Sequence, residues 1–145
     1  MSWHPCCCGN TTCCPGVTIP DTLYGTIASP LCACFDGQVV TLTYNAVSGQ
    51  WEGTLSGICA GGASSHVITF ELRCAGSTAA DWAIEITQVT FGTGFDTPCM
   101  FDQFPTADSE VCSPFSLVYS GTVQSVAGFA ACPDAGDAYT ITITP

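Results

Sequence analysis

Cysteine is the residue type with the most chemistry to offer in this chain. Twelve occur: Cys6, Cys7, Cys8, Cys13, Cys14, Cys32, Cys34, Cys59, Cys74, Cys99, Cys112 and Cys132. The first five crowd the N-terminus and are closed off by Pro15-Gly16. Neighbouring cysteines do not pair with each other without strain, because a disulfide asks for Cα atoms about 4.4–6.8 Å apart. Each of Cys6, Cys7 and Cys8 must therefore reach a different partner. A thiolate metal site is the alternative, with His4 nearby. Structural zinc uses two to four residues between paired cysteines, which Cys8 and Cys13 satisfy and the rest of the cluster does not. The expectation is that all twelve are oxidised, none binds metal, and the cluster pins the N-terminal arm. Intermolecular disulfides are the remaining option. The even count leaves no cysteine over, but connectivity is not legible from spacing. One pairing has a topological argument. Cys32 and Cys34 precede the second expected strand and Cys59 follows the third, so a hairpin would bring Cys34 to Cys59. That bridge would close a loop of about 26 residues, worth about 3–4 kcal/mol.

Other reactive groups are sparse. His4 and His66 stand in no nucleophile or metalloprotease pattern, and neither G-x-S-x-G nor H-E-x-x-H occurs. Arg73 is the sole Arg or Lys against twelve acids. Electrophilic help for an oxyanion or phosphate is correspondingly scarce. No catalytic or cofactor-binding residue is assigned, and a non-enzymatic role is expected. Carboxylates in Asp134-Ala-Gly-Asp137 and in residues 92–114 (Asp96, Asp102, Asp108, Glu110) are hard oxygen ligands that would suit Ca2+. Their plainer reading is turn formation through Asx bonds. Asn10-Thr11-Thr12 matches the N-glycosylation acceptor pattern, and outward Ser and Thr offer sites for O-linked sugar.

A net charge of −11 argues against nucleic acid and anionic membrane surfaces as partners, since almost nothing is present to neutralise phosphate. The absence of Lys rules out Lys–Asn isopeptide crosslinks and leaves trypsin-like proteases a single site. No apolar run approaches the roughly 18 residues of a membrane-spanning helix. Met1-Ser-Trp-His-Pro-Cys6 has neither the basic start nor the apolar stretch of a secretory signal. The cysteine density nevertheless assigns an oxidising compartment: extracellular, cell surface or virion surface.

These residues must be held by short extended segments with turns between them. The first runs over residues 16–27, interrupted by Pro20. Residues 38–44 place Val40, Leu42 and Tyr44 on one face and Val39, Thr41 and Thr43 on the other. A loop at 46–49 leads into Trp51, Gly53 and Leu55. Residues 66–74 alternate most cleanly, with Ile68, Phe70, Leu72 and Cys74 together. Trp82, Ile84 and Ile86 begin a further strand whose apolar phase then slips to Val89 and Phe91, which reads as a bulge near Thr87-Gln88. Phe115, Leu117 and Tyr119 mark a sixth strand; Tyr139, Ile141 and Ile143 mark the last. Residues 92–114 read as a long loop tethered by Cys99 and Cys112. No helical period persists. The length fits one domain at 16–145 behind a cysteine-rich arm at 1–15. About seven strands at this spacing predict an all-β, disulfide-stapled antiparallel sandwich of Ig-like, Greek-key character; a closed β-barrel is the alternative.

The stretches Cys32-Ala-Cys34-Phe-Asp-Gly37, Trp51-Glu-Gly53 and Cys112-Ser-Pro-Phe-Ser-Leu-Val-Tyr-Ser-Gly121 resemble a pattern in uncharacterised cysteine-rich bacterial and phage-associated small β proteins. That resemblance implies no activity and no site residues. In composition alone, the Thr-rich strands, disulfides and missing Lys are similar to subunits of extracellular fibres. Edge strands are usually guarded by Lys, Pro or inward charge. The last strand carries no charge on either face, so Tyr139, Ile141 and Ile143 are expected at a subunit contact. Trp3, in an arm docked on a neighbouring subunit, is a second candidate contact. The expected function is a structural subunit of a fibril, pilus-like appendage or virion surface, self-associating into a homo-oligomer or filament. A secreted adhesin or carbohydrate-binding module using Trp3, Trp51 or Trp82 is the rival, although Trp51 and Trp82 alternate in phase with core residues. Metal binding, or ice binding through the Thr-x-Thr strands, ranks lower.

Overall fold

Alternation of apolar inward and hydroxylated outward side chains drives most of the described residues into extended structure. The computed structural model describes residues 13–29, 36–56, 64–92, 99–125 and 135–145. Nine strands form there: β1 (Thr22–Ala28), β2 (Val39–Asn45), β3 (Gln50–Ser56), β4 (Ser64–Cys74), β5 (Trp82–Gly92), β6 (Cys99–Phe101), β7 (Thr106–Cys112), β8 (Phe115–Ser125) and β9 (Ala138–Thr144). A short 3-10 turn, Ala79–Asp81, precedes β5.

The strands make one antiparallel sheet in the order β5-β4-β3-β2-β1-β9-β8-β6, with β7 also paired to β8. The expected all-β antiparallel fold is therefore present. Of its two forms, the curled and nearly closed sheet of the barrel alternative is the one adopted. The two ends of the sheet meet at a seam. There the Ile86 N–H donates to the Gln103 carbonyl at 2.8 Å, and the Phe101 N–H donates to Gln88 Oε1 at 3.2 Å. Across the interior, the Tyr119 hydroxyl donates to the Trp82 carbonyl at 2.9 Å.

Of the inward positions read from the alternation, Ile68, Phe70, Leu72, Ile84, Leu117, Trp51 and Trp82 are buried, while Tyr44, Leu55 and Cys74 are half-buried against the core. Aromatic rings fill the interior in two groups. Toward one end, Trp82 meets Trp51 edge-on at 5.6 Å and Phe115 at 5.3 Å between centroids. Toward the other, Phe101 meets Tyr139 at 4.8 Å and Phe70 at 6.2 Å. Buried Trp is tolerated because each indole N–H has a partner: the Pro20 carbonyl for Trp51 at 2.9 Å, and Cys14 Sγ for Trp82 at 3.4 Å. Burial pushes the Tyr119 and Tyr139 hydroxyls above the usual phenol range, and the nearby charges of Glu110 and Asp102 act in the same direction. Both phenols therefore stay protonated as donors.

Curvature depends on glycine at inward strand positions. β2 and β3 stay in register only from Thr43↔Glu52 to Asn45↔Gln50. Beyond that pair, the Thr41 carbonyl lies over Gly53 so closely that a Cβ there would collide with it, and would also come within 2.9 Å of Val40 Cγ2. Gly121 likewise leaves room for the Tyr139 ring, whose hydroxyl lies 2.7 Å from where a Cβ would be. Glycine inside a strand often marks a tight bend of a barrel wall. Gly53→Ala should accordingly cost roughly 1–3 kcal/mol, the usual range for overpacking, or more because the neighbour is backbone. Chemical denaturation checks this, and an unchanged midpoint would remove Gly53 from the account of curvature.

Three expectations are corrected. No register shift interrupts β4 and β5, which pair continuously from Ser64↔Gly92 to Cys74↔Trp82. The apolar phase breaks because Gln88, not an apolar residue, follows Ile86 on the same face, where its Oε1 binds the Phe101 N–H. The register shift falls instead between Ala107 and Ser109 of β7. The stretch 92–114 is not simply a loop, since β6 and β7 lie within it. β6 is only three residues long, and β7 (TADSEVC) is polar and largely exposed, so neither shows an alternation. Finally, β9 is not an edge. It is bonded to β1 on one side and β8 on the other, and Tyr139, Ile141 and Ile143 are at most 1% exposed within their own barrel. They are core residues and not a subunit contact.

Candidate functional site

The outward side chains divide the barrel into two territories. Over β2, β1, β9 and β8 no outward residue is charged. β2 presents Val39, Thr41 and Thr43; β1 presents Thr22, Tyr24, Thr26 and Ala28. β9 presents Thr140, Thr142 and Thr144, and β8 presents Ser116, Val118, Ser120 and Thr122. Register aligns these into cross-strand rows. Tyr24 lies between Thr41 and Thr144, and Thr26 lies between Val39 and Thr142. Thr142 continues to Val118, and Thr140 continues to Ser120. Tyr24 is 44% exposed and Val39 48% exposed, so the face offers apolar as well as hydroxyl surface.

The acids lie elsewhere. Glu52, Glu71 and Glu85 face one another across β3, β4 and β5, and Asp108 and Glu110 lie on β7. Asp21, Asp36 and Asp137 sit next to the ends of β1, β2 and β9, at the rim of the uncharged face. Thr, Val and Tyr suit an exposed strand position because a branched or aromatic side chain packs well on the pleat. A charge-free face is therefore also good strand chemistry.

The N-terminal segment locks one end of the barrel. Cys13 bonds to Cys74 at the end of β4, with a Cα–Cα distance of 5.8 Å. Cys14 bonds to Cys112 at the end of β7, with a Cα–Cα distance of 5.5 Å. Two adjacent cysteines thus reach different partners, as the spacing argument requires. Both bonds stay within this chain, and together they tie opposite ends of the sheet across the seam. Cys13 and Cys14 are 1% exposed and belong to the core. These disulfides indicate an oxidising environment.

Cys6, Cys7, Cys8, Cys32, Cys34, Cys59 and Cys132 lie outside the described residues. The Cys34–Cys59 pairing, Trp3, His4, the Asn10 glycosylation motif, Asp96 and Asp134 lie there too. Cys99 opens β6, and only its backbone is described.

Of the acids offered for Ca2+, Asp102 Oδ1 accepts from Gln124 Nε2 at 3.3 Å and Asp108 Oδ1 accepts from Ser120 Oγ at 3.1 Å. No group of three or more His, Cys, Asp or Glu is placed to hold a metal among the described residues. Asp81 instead closes a local turn. The backbone N–H groups of Thr78 and Ser77, then the Thr78 hydroxyl, hold its carboxyl below the usual range. Among the described residues no helix is long and apolar enough to cross a membrane.

A shallow cleft of about 30 Å3 opens over the outer wall near the seam, lined by Gln50, Glu71, Arg73, Ala83, Glu85 and Phe104. It holds the chain's sole Arg and an aromatic ring that is 62% exposed.

Reading the sequence strand by strand does not reveal the uncharged face. Each of the four segments is uncharged outward on its own, and that signal was available. Their adjacency depends on β9 closing between β1 and β8. No family model, curated protein or solved structure matches the chain.

Proposed function

We propose that this protein is a non-catalytic structural subunit of an extracellular assembly, and that its copies meet through the uncharged face of β2, β1, β9 and β8. The partition of charge supports this reading. A chain of net charge −11 repels its own copies. Contact through any acid-bearing wall would set carboxylates against carboxylates with a single Arg to offset them. On the uncharged face the carboxylates stay at its borders, with Asp108 beside Ser120 and Glu52 beside Thr43, or on the far wall. Opposed sheets are about 10 Å apart, and the Debye length is about 8 Å at physiological ionic strength, so far-wall charge is largely screened. Tyr24 and Val39 add apolar area to bury, and the Thr and Ser rows supply hydroxyls that pair with one another. The core is filled with aromatic rings, which puts any recognition on the outer surface. Disulfides that lock the barrel suit a part that must last outside the cell, whether in a fibril, an appendage or a virion surface.

The test is to place charge in the face without touching the core. Thr41→Asp and Thr142→Asp together add two carboxylates in different cross-strand rows. The native protein should form oligomers or filaments in sedimentation velocity and negative-stain microscopy. The double variant should sediment as monomer, with its thermal midpoint little changed. A native protein that stays monomeric under assembly conditions would overturn the proposal, as would a variant that assembles normally.

A further inference from the structure

We infer that the cleft between Arg73 and Phe104 is a binding site for a neutral saccharide, a function independent of the assembly reading. Phe104 is presented and not merely left over. The two residues before it are fixed to the barrel: the Asp102 N–H donates to the Thr122 carbonyl at 3.1 Å, and the Gln103 carbonyl accepts from the Ile86 N–H at 2.8 Å. Gln103 Nε2 also donates to Glu85 Oε2 at 2.9 Å. The residue after it, Pro105, is buried. An aromatic ring that is 62% exposed is thus held between anchored neighbours, while Phe101, three residues earlier, is fully buried.

The groups around the ring select the ligand class. Glu71 and Glu85 accept hydrogen bonds only, Arg73 donates only, and Gln50 does both. Two carboxylates against one guanidinium leave the site net negative, which disfavours a polyanion. A cation would answer the two carboxylates but would leave the Arg73 donors without an acceptor. What satisfies donors and acceptors together, beside an apolar ring, is a neutral molecule with one apolar face and many hydroxyls. A pyranose has this form: its C–H face lies on an aromatic ring, and its hydroxyls bond to charged neighbours, the stronger kind of hydrogen bond. Enclosed ligand sites of roughly 300–1,000 Å3 combine aromatic lining with a few converging polar groups, and this cleft of about 30 Å3 shares that lining chemistry but not the enclosure. The cleft is shallow, so it contacts one face of one sugar unit, as suits a polymer passing over the surface. Trp51 and Trp82 are core residues and play no part in it.

Affinity electrophoresis of the full chain decides the matter, in native gels cast with soluble mannan, galactan, xylan or β-glucan, and with alginate as the anionic control. At least one neutral polymer should retard the native protein, and alginate should not. Phe104→Ala should abolish that retardation, Phe104→Tyr should keep it, and Arg73→Gln should weaken it. Far-UV circular dichroism and the thermal midpoint of Phe104→Ala should match the native protein, because the ring is exposed. Three results would overturn the inference: no retardation by any neutral polymer, equal retardation of Phe104→Ala, or retardation by alginate alone. The charged-face variant of Thr41 and Thr142 should bind sugar normally, so loss of assembly and loss of sugar binding are read separately.

Discussion

Replacing Cys14 and Cys112 together by Ala should lower the unfolding free energy by about 4 kcal/mol, and by more if the contact with Trp82 also loosens. The two residues are 98 apart in sequence. With Cys13–Cys74 intact, however, the shortest covalent ring that these two described bonds define runs from Cys74 to Cys112 and back through Cys13. That is a ring of about 40 residues, for which chain entropy gives about 4 kcal/mol. Removing both bonds should cost about 8 kcal/mol on the same model, the order of the whole stability of a domain. Cys14 Sγ also accepts the Trp82 indole N–H, so its loss leaves a buried donor without its partner. Guanidinium unfolding of the native protein, the Cys14/Cys112 variant and the four-Ala variant would measure this directly. A difference below about 1 kcal/mol for the Cys14/Cys112 variant would show that the seam is held by the strands alone.

Trp82→Ala should be nearly as severe, at about 3–5 kcal/mol, the range for removing a large buried aromatic. Trp82 touches parts of the sheet that are remote in sequence. Its ring meets Trp51 of β3 and Phe115 of β8, its N–H meets Cys14, and its carbonyl accepts the Tyr119 hydroxyl. Truncation opens a void where β5, β8 and the N-terminal segment converge. Phe at this position should recover most of the packing but not the indole hydrogen bond, leaving a deficit of about 1–3 kcal/mol. Equilibrium unfolding of the two variants separates these contributions. If Trp82→Ala unfolded at the native midpoint, the placement of Trp82 in the packed core would be wrong.

Both effects bear on what the molecule is for. Its interior is occupied by Trp51, Trp82, Phe70, Phe101, Tyr119 and Tyr139, all nearly or fully buried, so the barrel works as a packed body. On the readings proposed above, a partner meets the outer wall, either at the uncharged face or at the cleft within the acidic wall. The uncharged Thr and Ser face and the Phe104–Arg73 cleft are on different strands, so the two proposed roles do not compete for surface.

The alternation of Ile68, Phe70 and Leu72 against Val67, Thr69 and Glu71 determined by itself that this chain is β and which faces are core, because side chains in a strand point to opposite sides at every step. It also placed Trp51 and Trp82 inside. The adjacency of Cys13 and Cys14 favoured different partners for them, since neighbouring cysteines pair with each other only under strain. Periodicity did not reveal β7, whose polar residues follow no period because neither of its faces is deeply buried. Nor did it explain Gln88, whose place on the inward face depends on a backbone N–H thirteen residues away. Strand order is a matter of long-range pairing, and a single strand's pattern says nothing about which neighbour it takes. Hence the last strand reads as an unguarded edge when taken alone. Tertiary structure places it between β1 and β8 because its fully apolar inward face and uncharged outward face suit a position with a strand on both sides. The same closure brings four separately uncharged segments into one surface and sets Phe104 beside Arg73, neither of which any local spacing encodes.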